Sequence, residues 1–210
     1  MSQLQDSNVL WKSVVPVAFH VDYWDYLGWK DQYAHPSFAE RQYRYQQLNH
    51  VSAVYTPGMM KNGREWRGWR RGDKPQAEVD DKPGHISATL REKLLSVTFH
   101  YTRKTQSPYI LNVALLGSDL RQLIRAGENS GKLLTHNFVV LDLQQHPVHS
   151  ARNNAVEWAI DKPLDSINDN FDAIAIWVTT KLDPTPIQAA GRWVPDNNFE
   201  KIIPRKSSRF

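Results

Sequence analysis

Val54-Tyr55-Thr56-Pro57-Gly58-Met59-Met60-Lys61-Asn62-Gly63-Arg64-Glu65-Trp66 is the stretch on which the fold turns. A Thr-Pro step leads into an apolar strand, an Asn-Gly pair and a return strand. Asn-Gly supplies positive φ at two successive positions, the strongest short-range signal for a hairpin turn. Upstream, residues 14–19 (Val-Val-Pro-Val-Ala-Phe) are apolar and β-branched, and predict a buried strand with Pro16 near its entry. Pro36 predicts the start of a helix capped by His35 or Ala34 and running to about Asn49. Phe38, Tyr45 and Leu48 form its apolar stripe, with Glu40, Arg41 and Arg44 facing out. The order strand, helix, Pro, strand, turn, strand resembles the second half of a thioredoxin-like domain. There a cis-proline loop lies beside two redox cysteines and pairs with an extended substrate strand. An ordinary trans proline at a strand entry fits that order equally well.

Working outward, residues 70–85 are polar and hold two prolines and two glycines, the composition of a linker. Beyond them the period becomes two. Residues 85–90, 95–101, 109–116, 120–126, 132–143, 156–160, 171–180 and 186–194 read as about eight strands at the spacing of a β-sandwich. The fold class expected is therefore an N-terminally incomplete α/β thioredoxin-like domain (1–72), a linker (73–84) and an antiparallel β-sandwich (85–195). A polar, basic tail (196–210) follows.

Bulk composition excludes several classes. The 210 residues are 40% apolar and 23% charged, ordinary for a globular protein, and no apolar run approaches the ~18 residues of a membrane-spanning helix. There is no cysteine, so neither disulfides nor thiol chemistry are available to the chain. The net charge of +4 is a weak argument for an acidic partner. The segment from Arg64 to Lys74 interleaves Trp66 and Trp69 with basic residues, as single-strand nucleic-acid surfaces do. The modest charge and the absence of a nucleic-acid motif favour a solvated hairpin end instead. No phosphate-cradling loop, Gly-x-Ser-x-Gly or His-Glu-x-x-His pattern is present.

The stretch Phe19-His20-Val21-Asp22-Tyr23-Trp24-Asp25-Tyr26-Leu27-Gly28-Trp29-Lys30-Asp31 is distinctive. His20 and Asp22 share a face at period two and, with Asp25, invite a metal reading, but no set of three or four converging ligands is evident. Tyr23, Trp24, Tyr26 and Trp29 either pack over the sheet end or rim a substrate groove beside Pro57. Asp22 would then assist proton transfer to a thiol, had the chain one. Together with Val54-Tyr55-Thr56-Pro57 and Arg125-Ala126-Gly127-Glu128-Asn129-Ser130-Gly131, this motif resembles the bacterial family known as domain of unknown function 1223. The resemblance spans residues 3–194. It implies a thioredoxin-like fold and an exported protein of the envelope or medium. The candidate groove, read from the two loops, takes in Tyr55, Thr56, Pro57, His20, Asp22, Tyr23, Trp24, Asp25 and Trp29. In the second domain the resemblance singles out Arg125, Gly127, Glu128 and Asn129. The bland reading of that segment is a turn, with Asn and Gly at positive φ and Arg125 paired to Glu128. His136, on the following strand, reads as a structural histidine.

The family pattern opens with a strand and a Cys-x-x-Cys-Pro-Pro segment that Met1-Ser-Gln-Leu-Gln-Asp-Ser does not contain. In a thioredoxin-like sheet that strand is central. Its loss would leave unpaired backbone at roughly 1–3 kcal/mol per buried group, against a total stability of about 5–15 kcal/mol. The expectation is a start codon assigned too late, the alternative a damaged first domain. The chain as written shows no signal peptide, so a cytoplasmic setting is expected if its start codon is correct. No cofactor is expected, and enzyme activity is not expected of the chain as written. Two functions stay open: a thiol–disulfide oxidoreductase relative without its redox motif, and a non-catalytic module that holds an extended peptide or protein segment.

Overall fold

The computed structural model describes residues 1–75, 83–91, 94–126, 129–161 and 171–194. Most of the expected linker, the expected basic tail, and Gly127 and Glu128 lie outside the described residues.

The sequence's helix signal is met by α1 (Pro36–Gln47). His35 is its N-cap in extended geometry, and its Nδ1 accepts the Ser37 N–H at 3.3 Å, with Pro36 pre-set at the first helical position. Phe38, Ala39 and Tyr45 are buried. Arg41, expected to face out, points inward between Phe38 and Tyr45. Spacings of i, i+3 and i+7 put all three on one face, and aromatic rings receive the guanidinium there. It lies 4.9 Å from the Phe19 ring centre, 5.2 Å from Tyr45 and 5.6 Å from Trp177. The hairpin β1 (Met60–Lys61) and β2 (Arg64–Glu65) closes through Asn62 and Gly63 at φ 49° and 75°, the geometry an Asn-Gly turn requires.

The remaining strands are β3 (Gly84–Arg91), β4 (Leu94–Tyr101), β5 (Tyr109–Gly117), β6 (Leu120–Leu123), β7 (Leu133–His136), β8 (Val139–Pro147), β9 (Ser150–Arg152), β10 (Ala155–Asp161), β11 (Ala173–Thr180) and β12 (Gln188–Trp193). All pair antiparallel. One sheet runs β3-β4-β10-β9, a second β12-β11-β5-β8, and β6 and β7 form a separate ribbon. Alternation along β3 and β4 sends Leu90, Leu95, Val97 and Phe99 into a core shared with Leu111, Val113, Leu115, Ile174, Ile176 and Val178 of the second sheet. This is the sandwich the period-two pattern predicts.

β5 and β11 are buried along nearly their whole length because their other face is covered too. Ala114, Leu116, Val140, Ala173, Ala175 and Trp177 meet Leu10 and Phe38, with Trp11, Val15, Val17 and Phe19 packed alongside. The chain is thus mostly antiparallel β structure with few helices.

Two expected strands differ. Residues 14–19 form extended chain rather than a ladder strand: Ala18 makes a single parallel bridge to Val139, donating to the Phe138 carbonyl at 2.7 Å and accepting from Val140 N–H at 3.0 Å. Pro16, with no N–H, sits in the middle of this stretch and leaves its ladder incomplete. Residues 132–143 break into β7 and β8 at Asn137-Phe138, where fully buried Phe138 takes φ 59° and redirects the chain from β6 to β5.

Candidate functional site

The loop from His20 to Asp31 folds over the N-terminal end of α1 and meets the Thr56–Pro57 loop. A short 3-10 turn (Asp25–Leu27) ends at Gly28, φ 94°. A Cβ on Gly28 would lie 3.8 Å from Ala126, so the loop also approaches the segment that carries Arg125. The Trp24 indole N–H donates to Thr56 Oγ1 at 2.7 Å. Gln42 on α1 ties the same two loops together: its Oε1 accepts from Tyr23 Oη at 3.1 Å and its Nε2 donates to the Tyr55 carbonyl at 2.8 Å. Gly58 leaves room for this, since a Cβ there would sit 2.9 Å from the Tyr55 carbonyl and 3.2 Å from Gln42 Nε2. The Thr56–Pro57 peptide bond is cis.

Tyr55 is held from beneath. Its hydroxyl donates to Glu65 Oε1 at 2.7 Å, Arg67 Nε donates to the same oxygen at 3.1 Å, and Ser52 donates to Oε2 at 3.1 Å. These donors, Tyr55 first, hold the Glu65 carboxyl down at about 2. Arg70 lies 5.5 Å from the Tyr55 ring centre and equally from Trp69. Three of the segment's basic residues are thus engaged locally, with Arg71 paired to Asp73 at 2.7 Å.

Above this frame the surface is aromatic. Trp24, Tyr26 and Leu27 are 46%, 75% and 54% exposed. Tyr23 and Trp24 stand 5.6 Å apart, Trp24 and Tyr26 6.2 Å. Partial burial raises the Tyr23 phenol above its ordinary value. Trp29 is half-buried.

His20 is engaged elsewhere. Its Nδ1 meets Asp31 Oδ2 at 2.6 Å, and its ring packs 5.0 Å from His136 and 5.9 Å from Tyr33. Asp31 also accepts the Tyr33 N–H at 3.0 Å, and its own N–H donates to Asp25 Oδ1 at 3.3 Å. Burial pushes the Asp31 carboxyl up, but the His20 bond and then the Tyr33 N–H outweigh it and keep the carboxyl below its usual range. Burial and the neighbouring His20 push the His136 imidazole down. Asp22 contributes its carbonyl, which accepts the Asp25 N–H at 3.0 Å. No three His, Asp or Glu side chains are arranged to hold a metal ion among the described residues.

The structure therefore brings Tyr23, Trp24, Tyr55, Thr56 and Pro57 together, and leaves His20 and Asp25 in a separate bracing network with Asp31. Asn129 is distant in role: its Oδ1 accepts from Lys132 Nζ at 2.9 Å across the β6–β7 turn. Sequence reasoning missed Gln42, a helix residue with no motif around it. It also missed Asp31 as the partner of His20, eleven residues away in the chain and held in a local Asx turn by the Tyr33 N–H.

The family described as protein of unknown function (DUF1223) matches residues 1–179. The chain belongs to this family. The DUF1223 match takes in the whole aromatic loop, the Thr56–Pro57 loop and the β6–β7 ribbon, and ends within β11. Among solved structures, HBP35 of Porphyromonas gingivalis is similar at 12% identity and a TM-score of 0.49, covering 82% of this chain and 63% of that one. The DUF1223 chain thus spans less than two thirds of that protein's length. None of the curated proteins compared with it matches. No helix among the described residues is long and apolar enough to cross a membrane.

Proposed function

We propose that this DUF1223 chain is a thioredoxin-like scaffold working as a non-catalytic module, which holds an extended segment of a peptide or protein partner against the aromatic loop and the Tyr55–Gly58 loop. The observation that carries the reading is the 2.7 Å bond from Trp24 to Thr56, which holds exposed Trp24 at the residue before Pro57, with the exposed Tyr26 ring 6.2 Å from Trp24. Rigid, amphipathic rings on a braced frame supply contact area at little entropic cost, which is why Trp and Tyr dominate binding hot spots. A thiolate and a resolving thiol are required for disulfide exchange, and the sequence has no cysteine. Redox ancestry is a second proposal, resting on the family resemblance and the Thr56-Pro57 element. The same resemblance supports an envelope or secreted setting for the protein.

The test is a peptide array followed by calorimetry on the hits. Trp24→Ala with Tyr26→Ala should weaken binding at least tenfold, about 1.4 kcal/mol, while far-UV circular dichroism stays unchanged. Thr56→Val, which removes the acceptor for the indole, should give a smaller loss. Binding that survives the double replacement at full strength places the contact elsewhere and ends the proposal.

A further inference from the structure

On the sheet face beneath α1, a directed set of hydrogen bonds ends in an unused donor. Gln145 Nε2 on β8 donates to Asn112 Oδ1 on β5 at 2.7 Å. Asn112, fully buried, uses its Nδ2 for the Trp177 carbonyl and Thr179 Oγ1 on β11, both at 3.2 Å. The carbonyl can only accept, so the Asn112 amide orientation is fixed, and Thr179 must receive that bond. Its own O–H is left with no acceptor among the described residues, in a residue 3% exposed. A buried hydroxyl proton without a partner is costly.

Thr179 and Gln145 line a cleft of about 240 Å³, together with Arg44, Ile110, Pro147, Thr180, Lys181 and Pro184. Two of its lining residues are cations and none is an acid. Arg44 spends one N–H on the Leu182 carbonyl at 2.8 Å. The nearby carboxylate, Asp183, is committed away from the cleft, accepting the Thr185 N–H at 2.8 Å and lying 3.6 Å from His50 Nε2. Behind the cleft, Arg41 donates to Tyr45 Oη at 3.0 Å, which donates to the Pro184 carbonyl at 2.7 Å. Arg41 has no carboxylate partner among the described residues.

We propose that this cleft binds a small carboxylate. Its oxygens would accept from Thr179 and lie within the field of Arg44 and Lys181, and its short aliphatic stem would rest on Ile110, Pro147 and Pro184. Drug-sized ligands occupy ~300–1,000 Å³, so this volume suits a short-chain acid. The mixed lining, donors and cations at one side and aliphatic carbons at the other, favours an organic anion over an inorganic one.

The test is a titration of the full chain followed by amide NMR shifts, with butyrate as probe and butyramide and inorganic phosphate as controls at matched ionic strength. Butyrate should give saturable shifts at Thr179, Thr180, Lys181 and Gln145. Lys181→Gln, at an exposed position, should weaken it about fivefold or more, and Thr179→Val by a similar factor. Equal shifts from butyramide, tighter binding of phosphate, shifts centred elsewhere, or no saturable shift each overturn the proposal. If Thr179→Val does not fold, Lys181→Gln still decides it.

Discussion

Gly191 offers the sharpest test of how the N-terminal segment is seated. It lies in β12, and a Cβ added there would come within 2.5 Å and 2.6 Å of Trp11 Cζ3 and Cε3, and within 3.0 Å of the Ile174 carbonyl. Trp11 stands edge-on to Phe138 at 5.9 Å and to Trp193 at 5.5 Å, and those two rings stack at 5.7 Å. In Gly191→Ala the indole must retreat by roughly 1 Å to restore ordinary contact, loosening two edge contacts worth ~0.5–1.5 kcal/mol each. Overpacking of this kind costs about 1–3 kcal/mol. Alanine recovers ~0.5–1 kcal/mol over glycine inside a strand, so the net loss should be about 1–2 kcal/mol. In a Trp11→Ala background only the 3.0 Å approach to the Ile174 carbonyl remains, and Gly191→Ala should be close to neutral. The measurement is urea unfolding of all four proteins by far-UV circular dichroism, with ΔΔG taken from midpoints at constant m. A coupling of about 1–3 kcal/mol is expected. If Gly191→Ala costs the same in both backgrounds, the clash is with the Ile174 carbonyl, and the account of Trp11 seating in a slot cut by Gly191 is wrong.

Three further outcomes follow from the geometry. Gly63→Ala places a side chain at φ 75° with its Cβ 2.7 Å from Thr185 Cγ2 and Oγ1; a loss of about 1–2 kcal/mol is expected from the left-handed backbone, with a further part relieved by Thr185→Ala in the same unfolding assay. Glu65 has a depressed carboxyl near 2, so its contribution is fully present above the ordinary value of ~4.3 and disappears as pH falls through about 2; carboxyl-carbon shifts should show Glu65 titrating well below the ordinary glutamate value, and Tyr55→Phe should move it up. His136 is held low by burial first and by His20, with Asp31 opposing. The unfolded chain therefore binds that proton more readily, and stability should decline as pH drops through ~6.5; His136→Gln should flatten that part of the stability–pH curve.

The sandwich was legible because β3 and β4 alternate as half-buried strands do and β5 stands out as an apolar run, so that 85–90, 95–101 and 109–116 fall within one or two residues of β3, β4 and β5. The hairpin at Asn62-Gly63 was legible because its two positive φ angles demand those residue types. Arg41 was not, because periodicity marks the face a residue occupies, and a charge on that face reads as solvent-facing unless the rings that receive it are known. Phe19 and Trp177 lie far from it in sequence. The break at Asn137-Phe138 was hidden since an aromatic at positive φ is rare, and tertiary burial of Phe138 overrides its local preference. β9, the three residues Ser-Ala-Arg paired to β10, is too short to carry a periodic pattern. Of the candidate groove, sequence motifs singled out both loops, while the contacts that join them run through Gln42 and Thr56, whose side chains carry no periodic signal.

The second core has a temporal consequence. Leu10 and Phe38 find their buried partners at Ala114, Leu116, Phe138, Val140 and in β11. A ribosome releases the N-terminal side chains first, yet β11 ends at Thr180, some 140 residues after Phe38. At about 5–20 residues per second, these apolar groups wait roughly 7–28 s for the sheet that covers them. Throughout that interval the nascent segment from Leu10 to Tyr45 is exposed to any chaperone that recognises aromatic, unfolded chain.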